Sequence, residues 1–238
     1  MKHRGIVGVG NTATVYEWED NKVLKLFHQG YPIESVEKEF NNARLIWNMD
    51  FLKPKAYEII TINGQSGIIY DRLKGESLLD WFMKTGDIEG CATHISRLHK
   101  KIVKNKISDV SNYKDFLRNN IQNAQSLKEK EEILYILDKL PNGNTLCHGD
   151  FHPGNIFIYN GQTAVIDFMN ICHGYFLYDI ARTVFLVEYT PVPVEVKEKD
   201  KLLKFRKTLA DLYLMQMNVT REIIEDYLLV IIAGRMGE

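Results

Sequence analysis

Hydrophobic and polar positions alternate along the first third of the chain, then change to a period of three to four. Ile6-Val7-Gly8-Val9, Ala13-Thr14-Val15-Tyr16-Glu17-Trp18 and Lys22-Val23-Leu24-Lys25-Leu26-Phe27 read as three short strands, joined by a Gly/Asn/Thr turn and by Asp20-Asn21. A helical stripe follows over residues 33–49, where Val36, Phe40, Ala43 or Arg44, Ile46 and Trp47 share a face. After Lys53-Pro54-Lys55, residues 56–62 and 66–70 predict a strand pair around Asn63-Gly64, and Gly75 permits the bend that leaves the sheet. From Ser77 on, helical spacing dominates over residues 77–85, 87–104 (Asp87 as N-cap), 113–124 and 128–140. Asp179 opens a further apolar helix as a plausible cap, Pro191-Val192-Pro193 interrupts, and residues 196–216 and 220–234 predict two closing helices. The pattern predicts an α+β protein with a sheet-rich lobe over residues 1–73 and a larger, mainly helical lobe over 74–238.

One stretch interrupts the helices. Leu146-Cys147-His148-Gly149-Asp150-Phe151-His152-Pro153-Gly154-Asn155 sets Asp150 five positions before Asn155, the interval between base and metal-holding Asn in the protein-kinase catalytic loop. Residues 156–159 and 162–166 then read as strands about Asn160-Gly161, a two-residue hairpin turn. Closing that turn pairs Tyr159 with Gln162, Phe157 with Ala164 and Asn155 with Ile166, so Asn155 is expected beside Asp167 although twelve residues separate them. Two carboxylates and a carboxamide oxygen form a set that suits Mg²⁺, which takes oxygen ligands and keeps positions for water and phosphate. The competing reading, a soft-metal cluster of Cys147, His148, Asp150 and His152, lacks a second Cys/His pair at the usual spacing. His148 and His152 are instead expected to hold the loop by hydrogen bonds. Phosphoryl transfer becomes the leading idea.

Composition narrows the setting. The chain has 238 residues, 45% of them hydrophobic, and a formal net charge of −1, which allows a sizeable core and argues against a nucleic acid gripped by its phosphates. Three cysteines (Cys91, Cys147, Cys172) at unrelated spacings do not make a disulfide framework, so a reducing cytoplasm is expected. No signal-peptide core is evident, and the apolar run over residues 227–233 is too short to span a bilayer, so no membrane partner is expected.

The front lobe supplies further candidates. Gly8 and Gly10, with Asn11 and Thr12, form a turn between strands that matches two of the three glycines of a nucleotide-covering loop, Ala13 standing at the third. Lys25 sits on a strand, where a buried ammonium needs a partner; a triphosphate with a helix carboxylate would be one, and the alternative is a lysine on the solvent face. Glu39 is the chosen helix carboxylate and Glu37 the reserve, although acidic residues near a helix start are also favoured by the dipole. Asp71 and Leu73 are nucleotide candidates by position alone, at the point where the chain leaves the sheet.

Together these residues resemble the aminoglycoside phosphotransferase and choline kinase family of kinase-like small-molecule phosphotransferases. The carriers are His148-Gly149-Asp150-Phe151-His152-Pro153-Gly154-Asn155 with Val165-Ile166-Asp167-Phe168, and Lys25, Glu39, Leu98-His99 and Gly174 to Asp179 fall in matching order. The resemblance implies a bilobal protein-kinase-like fold and transfer of the γ-phosphoryl group of ATP or GTP to a hydroxyl of an aminoglycoside, amino alcohol or sugar. It implies Asp150 as catalytic base, Asn155 and Asp167 as Mg²⁺ ligands, Lys25 on the nucleotide phosphates and Glu39 orienting Lys25. A non-catalytic nucleotide-binding module is the alternative from another class, and four intact site residues count against it. A protein kinase fits less well, because Gly149 stands where such enzymes carry Arg and no Ala-Pro-Glu ending is present.

Overall fold

The computed structural model describes residues 4–191 and 198–237. Most of the predicted Pro191-Val192-Pro193 break and the start of the helix at 196 lie outside the described residues. The chain divides into two compact units, Met1–Glu76 with Phe157–Asn170, and Ser77–Ile156 with Ile171–Glu238.

The first unit is built on an antiparallel sheet of order β1-β2-β3-β5-β4, from Arg4–Val9 (β1), Ala13–Glu17 (β2), Lys22–Phe27 (β3), Ala56–Ile62 (β4) and Gln65–Asp71 (β5). Its tight turns use left-handed pairs: Asp20 and Asn21 have φ of 52° and 61°, Asn63 and Gly64 of 51° and 80°. Such turns match the twist of the strands they join. Period-two alternation sorts β3 into two faces. Leu24 and Leu26 pack with Ile69 against Tyr16, Trp18, Ile60 and Ile62. Lys25 lies between the two leucines, opposite Ile68 of β5, and so belongs to the other face. Helix α1 (Ile33–Leu45) packs on β4 and β5 through a buried stripe of Val36, Glu39, Asn42 and Ala43.

The strands Ile156–Tyr159 and Gln162–Val165 are neighbours across Asn160 and Gly161, with φ of 48° and 74°. Val165 N–H donates to the Leu52 carbonyl at 3.0 Å, tying the hairpin to the chain that leaves α1. Gly75, at φ 91°, lies so close to this hairpin that a Cβ would stand 2.0 Å from the Ile158 oxygen. Only glycine fits there.

The second unit is helical: α2 (Leu78–Thr85), α3 (Ile88–Ile102), α4 (Tyr113–Asn123), α5 (Lys130–Lys139), α6 (Phe176–Val184), α7 (Lys199–Met217) and α8 (Glu225–Arg235). Ser77 Oγ accepts from Asp80 N–H, and Asp87 Oδ1 accepts from Gly90 N–H, capping α2 and α3. Helix α3 packs on α7, and α4 on α5 and α8. The continuous helix expected over 220–234 is instead a 3-10 turn, Glu222–Ile224, followed by α8, because Ile224 departs from helical backbone at φ −104° and ψ 5°. The strand Thr145–Cys147 pairs antiparallel with Cys172–Gly174, setting Cys147 opposite Cys172. All three cysteines are free and buried. No helix among the described residues is long and apolar enough to cross a membrane.

Candidate active site

In the sheet unit Lys25 is the centre of charge. Its Nζ lies 2.8 and 2.9 Å from the two Glu39 oxygens and 3.3 Å from Asp167 Oδ1. Glu39 is 1% exposed and also accepts from Tyr70 O–H at 2.9 Å, whereas Glu37 is exposed. Burial pulls the Lys25 ammonium down, but Glu39 and then Asp167 outweigh it, and the net shift is upward. Burial pushes Glu39 up, only partly opposed by Lys25. The ion pair therefore offsets the cost of burying charge, fully for the lysine and in part for Glu39.

Asp167 reaches Lys25 from an unusual backbone, φ 67°, a left-handed conformation that non-glycine residues adopt sparingly. The next peptide groups are fixed by α1: Asn42 Nδ2 donates to the Phe168 carbonyl at 2.7 Å and to that of Met169 at 3.4 Å. Glu39 and Asn42, one turn apart on the buried face of α1, thus set the lysine and the Asp167 segment together. Asn42 carried no signal in the sequence, since its partners are 126 and 127 residues away.

The Gly8–Ala13 turn joins β1 and β2, with Gly10 N–H donating to the Ala13 carbonyl at 2.9 Å and Gly10, Asn11 and Thr12 exposed. A Cβ at Gly8 would meet nothing within 4 Å. The protein itself does not require that glycine. At the end of β5 the Asp71 carboxylate accepts from Lys55 N–H at 3.0 Å and Tyr57 O–H at 2.7 Å, and half-buried Leu73 follows.

In the helical unit Asn155 Nδ2 donates to the Asp150 carboxylate at 2.9 Å and to the Asp150 carbonyl at 3.0 Å. With its amide turned to Asp150, Oδ1 is the atom Asn155 can offer a cation. Asp150 keeps a quarter of its side chain exposed (26%), enough to meet a small molecule. The loop histidines act on backbone: His148 Nδ1 accepts from Asp150 N–H at 3.3 Å, and His152 Nδ1 accepts from Gly154 N–H at 3.1 Å.

The residue that sequence reasoning undervalued is Asp179. It does not cap α6, whose N-cap is Tyr175. Fully buried, it accepts from the amides of His148 (2.7 Å) and Gly149 (2.9 Å) and faces His99 Nε2 at 2.9 Å. Burial alone would push its carboxyl up, but the hydrogen bonds from His99 and from the Gly149 amide hold it below its ordinary value. Arg182 Nε donates to the Gly149 carbonyl at 3.2 Å, so both backbone polar groups of Gly149 are held. Gly149 itself sits at φ 76°, where glycine is strongly favoured. A bracket of Asp179 and Arg182 therefore fixes the chain immediately before Asp150.

A family model described as the phosphotransferase enzyme family matches residues 6–201, which takes in Lys25, Glu39, the 148–155 loop, Asp167 and Asp179. The chain belongs to that family. It is a small-molecule phosphotransferase of kinase-like fold. An aminoglycoside-3'-phosphotransferase of type VIII superposes with a TM-score of 0.68 at 12% identity, over 98% of this chain and 94% of that one. An aminoglycoside phosphotransferase from Streptomyces rimosus, solved with ADP and streptomycin, gives 0.64 at 14% identity over the same shares, 98% and 94%. The amicoumacin kinase hAmiN, solved with AMP-PNP, Ca²⁺ and Ami, gives 0.60 at 18% identity over 99% and 81%. No curated protein sequence matches the chain.

Proposed function

We propose that this phosphotransferase moves the γ-phosphoryl group of ATP or GTP, with Mg²⁺, to a hydroxyl of a small molecule such as an aminoglycoside, amino alcohol or sugar. The observation that carries the reading is the half-buried Lys25, charged and held between Glu39 and Asp167, in a chain whose Asp150 is held in turn by Asn155. The residues fit a nucleotide and its metal ion. Asn155 Oδ1 and the Asp167 carboxylate are hard oxygen donors of the kind Mg²⁺ takes, and Gly8 leaves open space where a nucleotide could approach backbone. When bound, the metal supplies charge neutralisation on the phosphate oxygens.

The chain's own residues do the rest. Lys25 binds phosphate through its ammonium and is aimed by Glu39, which Tyr70 fixes in turn. The backbone at residues 70–73 receives the base, since the Asp71 side chain is engaged with Lys55 and Tyr57. Asp150 orients the acceptor hydroxyl and takes its proton as the new P–O bond forms, while the nucleoside diphosphate leaves from the other side of phosphorus. A cytoplasmic setting fits the three free, buried cysteines.

Replacing Lys25 with Met removes a charge-assisted contact and leaves Glu39 buried without its counter-charge. The kcat/KM for nucleotide is expected to fall about 10–100-fold, from roughly 1.5–3 kcal/mol of lost interaction, with a lowered melting temperature. Gly8→Val should behave oppositely, raising nucleotide KM severalfold while the melting temperature stays close to that of the wild type. Steady-state kinetics beside thermal unfolding checks both. The function is tested by ADP release from ATP and GDP release from GTP, with and without Mg²⁺, across aminoglycosides, amino alcohols, sugars and nucleosides. Acceptor-dependent release on one class supports the reading; nucleotide binding without release on any class favours a non-catalytic module.

A further inference from the structure

The hydrogen bonds that fix the loop before Asp150 do not stop at Asp179. His99 of α3 is fully buried, with Nε2 2.9 Å from Asp179 and Nδ1 2.5 Å from the hydroxyl of Tyr213 on α7, which is 2% exposed. Asp179 already accepts the amides of His148 and Gly149, and an ionised carboxylate only accepts. The proton between His99 and Asp179 therefore sits on Nε2. In the neutral ring Nδ1 is then a bare acceptor, which in a buried site needs a donor. Tyr213 supplies it. Burial pushes the phenol far above its ordinary value, so its hydroxyl keeps its proton to give.

We propose that Tyr213 is a positioning residue for phosphoryl transfer: its hydroxyl holds His99 in the tautomer that donates from Nε2 to Asp179, and through Asp179 it fixes the His148 and Gly149 amides that lead into Asp150. The chain of contacts spans α7, α3, α6 and the catalytic loop, and Tyr213 lies 114 residues from His99 in sequence. Helix α7 also reaches the far end of the loop. Phe205 stacks on Phe82 of α2 with ring centroids 4.2 Å apart, and α2 packs on the turn Pro153–Asn155. One helix outside the loop thus braces both of its ends.

The functional half of this proposal rests on the kinase reading above, so its test has a readout that does not. In ¹⁵N-histidine-labelled wild-type protein at neutral pH, the ring of His99, recognised by its contact with Phe151 at a centroid distance of 4.4 Å, should show a protonated Nε2 and an unprotonated Nδ1. A protonated Nδ1, in either the other tautomer or the imidazolium, overturns the proposal whether or not the protein proves to be a kinase. Tyr213→Phe keeps the ring and removes the donor. It should perturb the His99 nitrogen signals and lower kcat about 3–10-fold, the net worth of one hydrogen bond, with nucleotide KM unchanged. Wild-type kcat in that variant, or a lowered kcat with the His99 signals unmoved, would sink the relay; a pure packing role would shift the melting temperature alone.

Discussion

Asp150→Asn is expected to reduce kcat by roughly 10²–10⁴-fold, the usual worth of general-base help, while nucleotide affinity stays at the wild-type level. The substitution keeps the size of the side chain and removes its capacity to take a proton. Folding should be little affected, because Asp150 is partly exposed and its main side-chain tie is the single bond from Asn155 at 2.9 Å. A rotated amide can still present its oxygen to that donor. Calorimetric titration with nucleotide beside steady-state turnover separates the two effects. Activity surviving within a few-fold would move the base elsewhere, and lost nucleotide binding would mean that Asp150 works on the nucleotide rather than on the acceptor.

Asp179→Ala should be costly in a different way, through stability as well as rate. Three N–H groups lose their acceptor at once, from His99, His148 and Gly149. Leaving a buried donor unsatisfied costs about 1–3 kcal/mol each, so the three together take a large part of the roughly 5–15 kcal/mol that holds a typical domain folded. Asp179→Asn is expected to rescue little, since its amide NH₂ would face at least one of those donors. The effect also has a pH signature. The Asp179 carboxyl lies below its ordinary value in the folded protein, so the stability it supplies is complete above the unfolded value of about 3.9 and is lost as pH falls through the folded one. Urea unfolding should therefore show the full difference between wild type and variant near neutrality and a shrinking one as pH drops below about 4. An equal gap at every pH would mean that Asp179 contributes by packing alone.

Both variants concern the same loop, yet one of these residues could be read from the sequence far more readily than the other. Asp150 and Asn155 stand in a short run with fixed spacing, and the turns at Asn63-Gly64 and Asn160-Gly161 announce their hairpins through residues that tolerate left-handed backbone. Lys25 was legible because a lysine between Leu24 and Leu26 on a strand needs an explanation. The choice of Glu39 over Glu37 was harder, since either could favour a helix start; burial on the face of α1 decides which one meets Lys25. Asp179 resembled a capping residue because its real partners lie 30 and 31 residues back in the chain and 80 residues back on α3. Asn42, Tyr70 and Tyr213 were silent for the same reason: their polar groups act across the packed interior, and nothing local in composition or period distinguishes them from ordinary core positions. The strand Cys172–Gly174 was missed because three residues are too few to show alternation.

The central claim is transfer to a small-molecule hydroxyl, and ³¹P NMR of the reaction mixture tests it most directly. Wild-type protein with ATP or GTP, Mg²⁺ and the panel acceptor that stimulates nucleotide turnover should yield a phosphomonoester resonance on that acceptor, equal in amount to the nucleoside diphosphate formed and absent with Asp150→Asn. Inorganic phosphate as the only new product, or phosphate appearing on protein instead, would contradict the account.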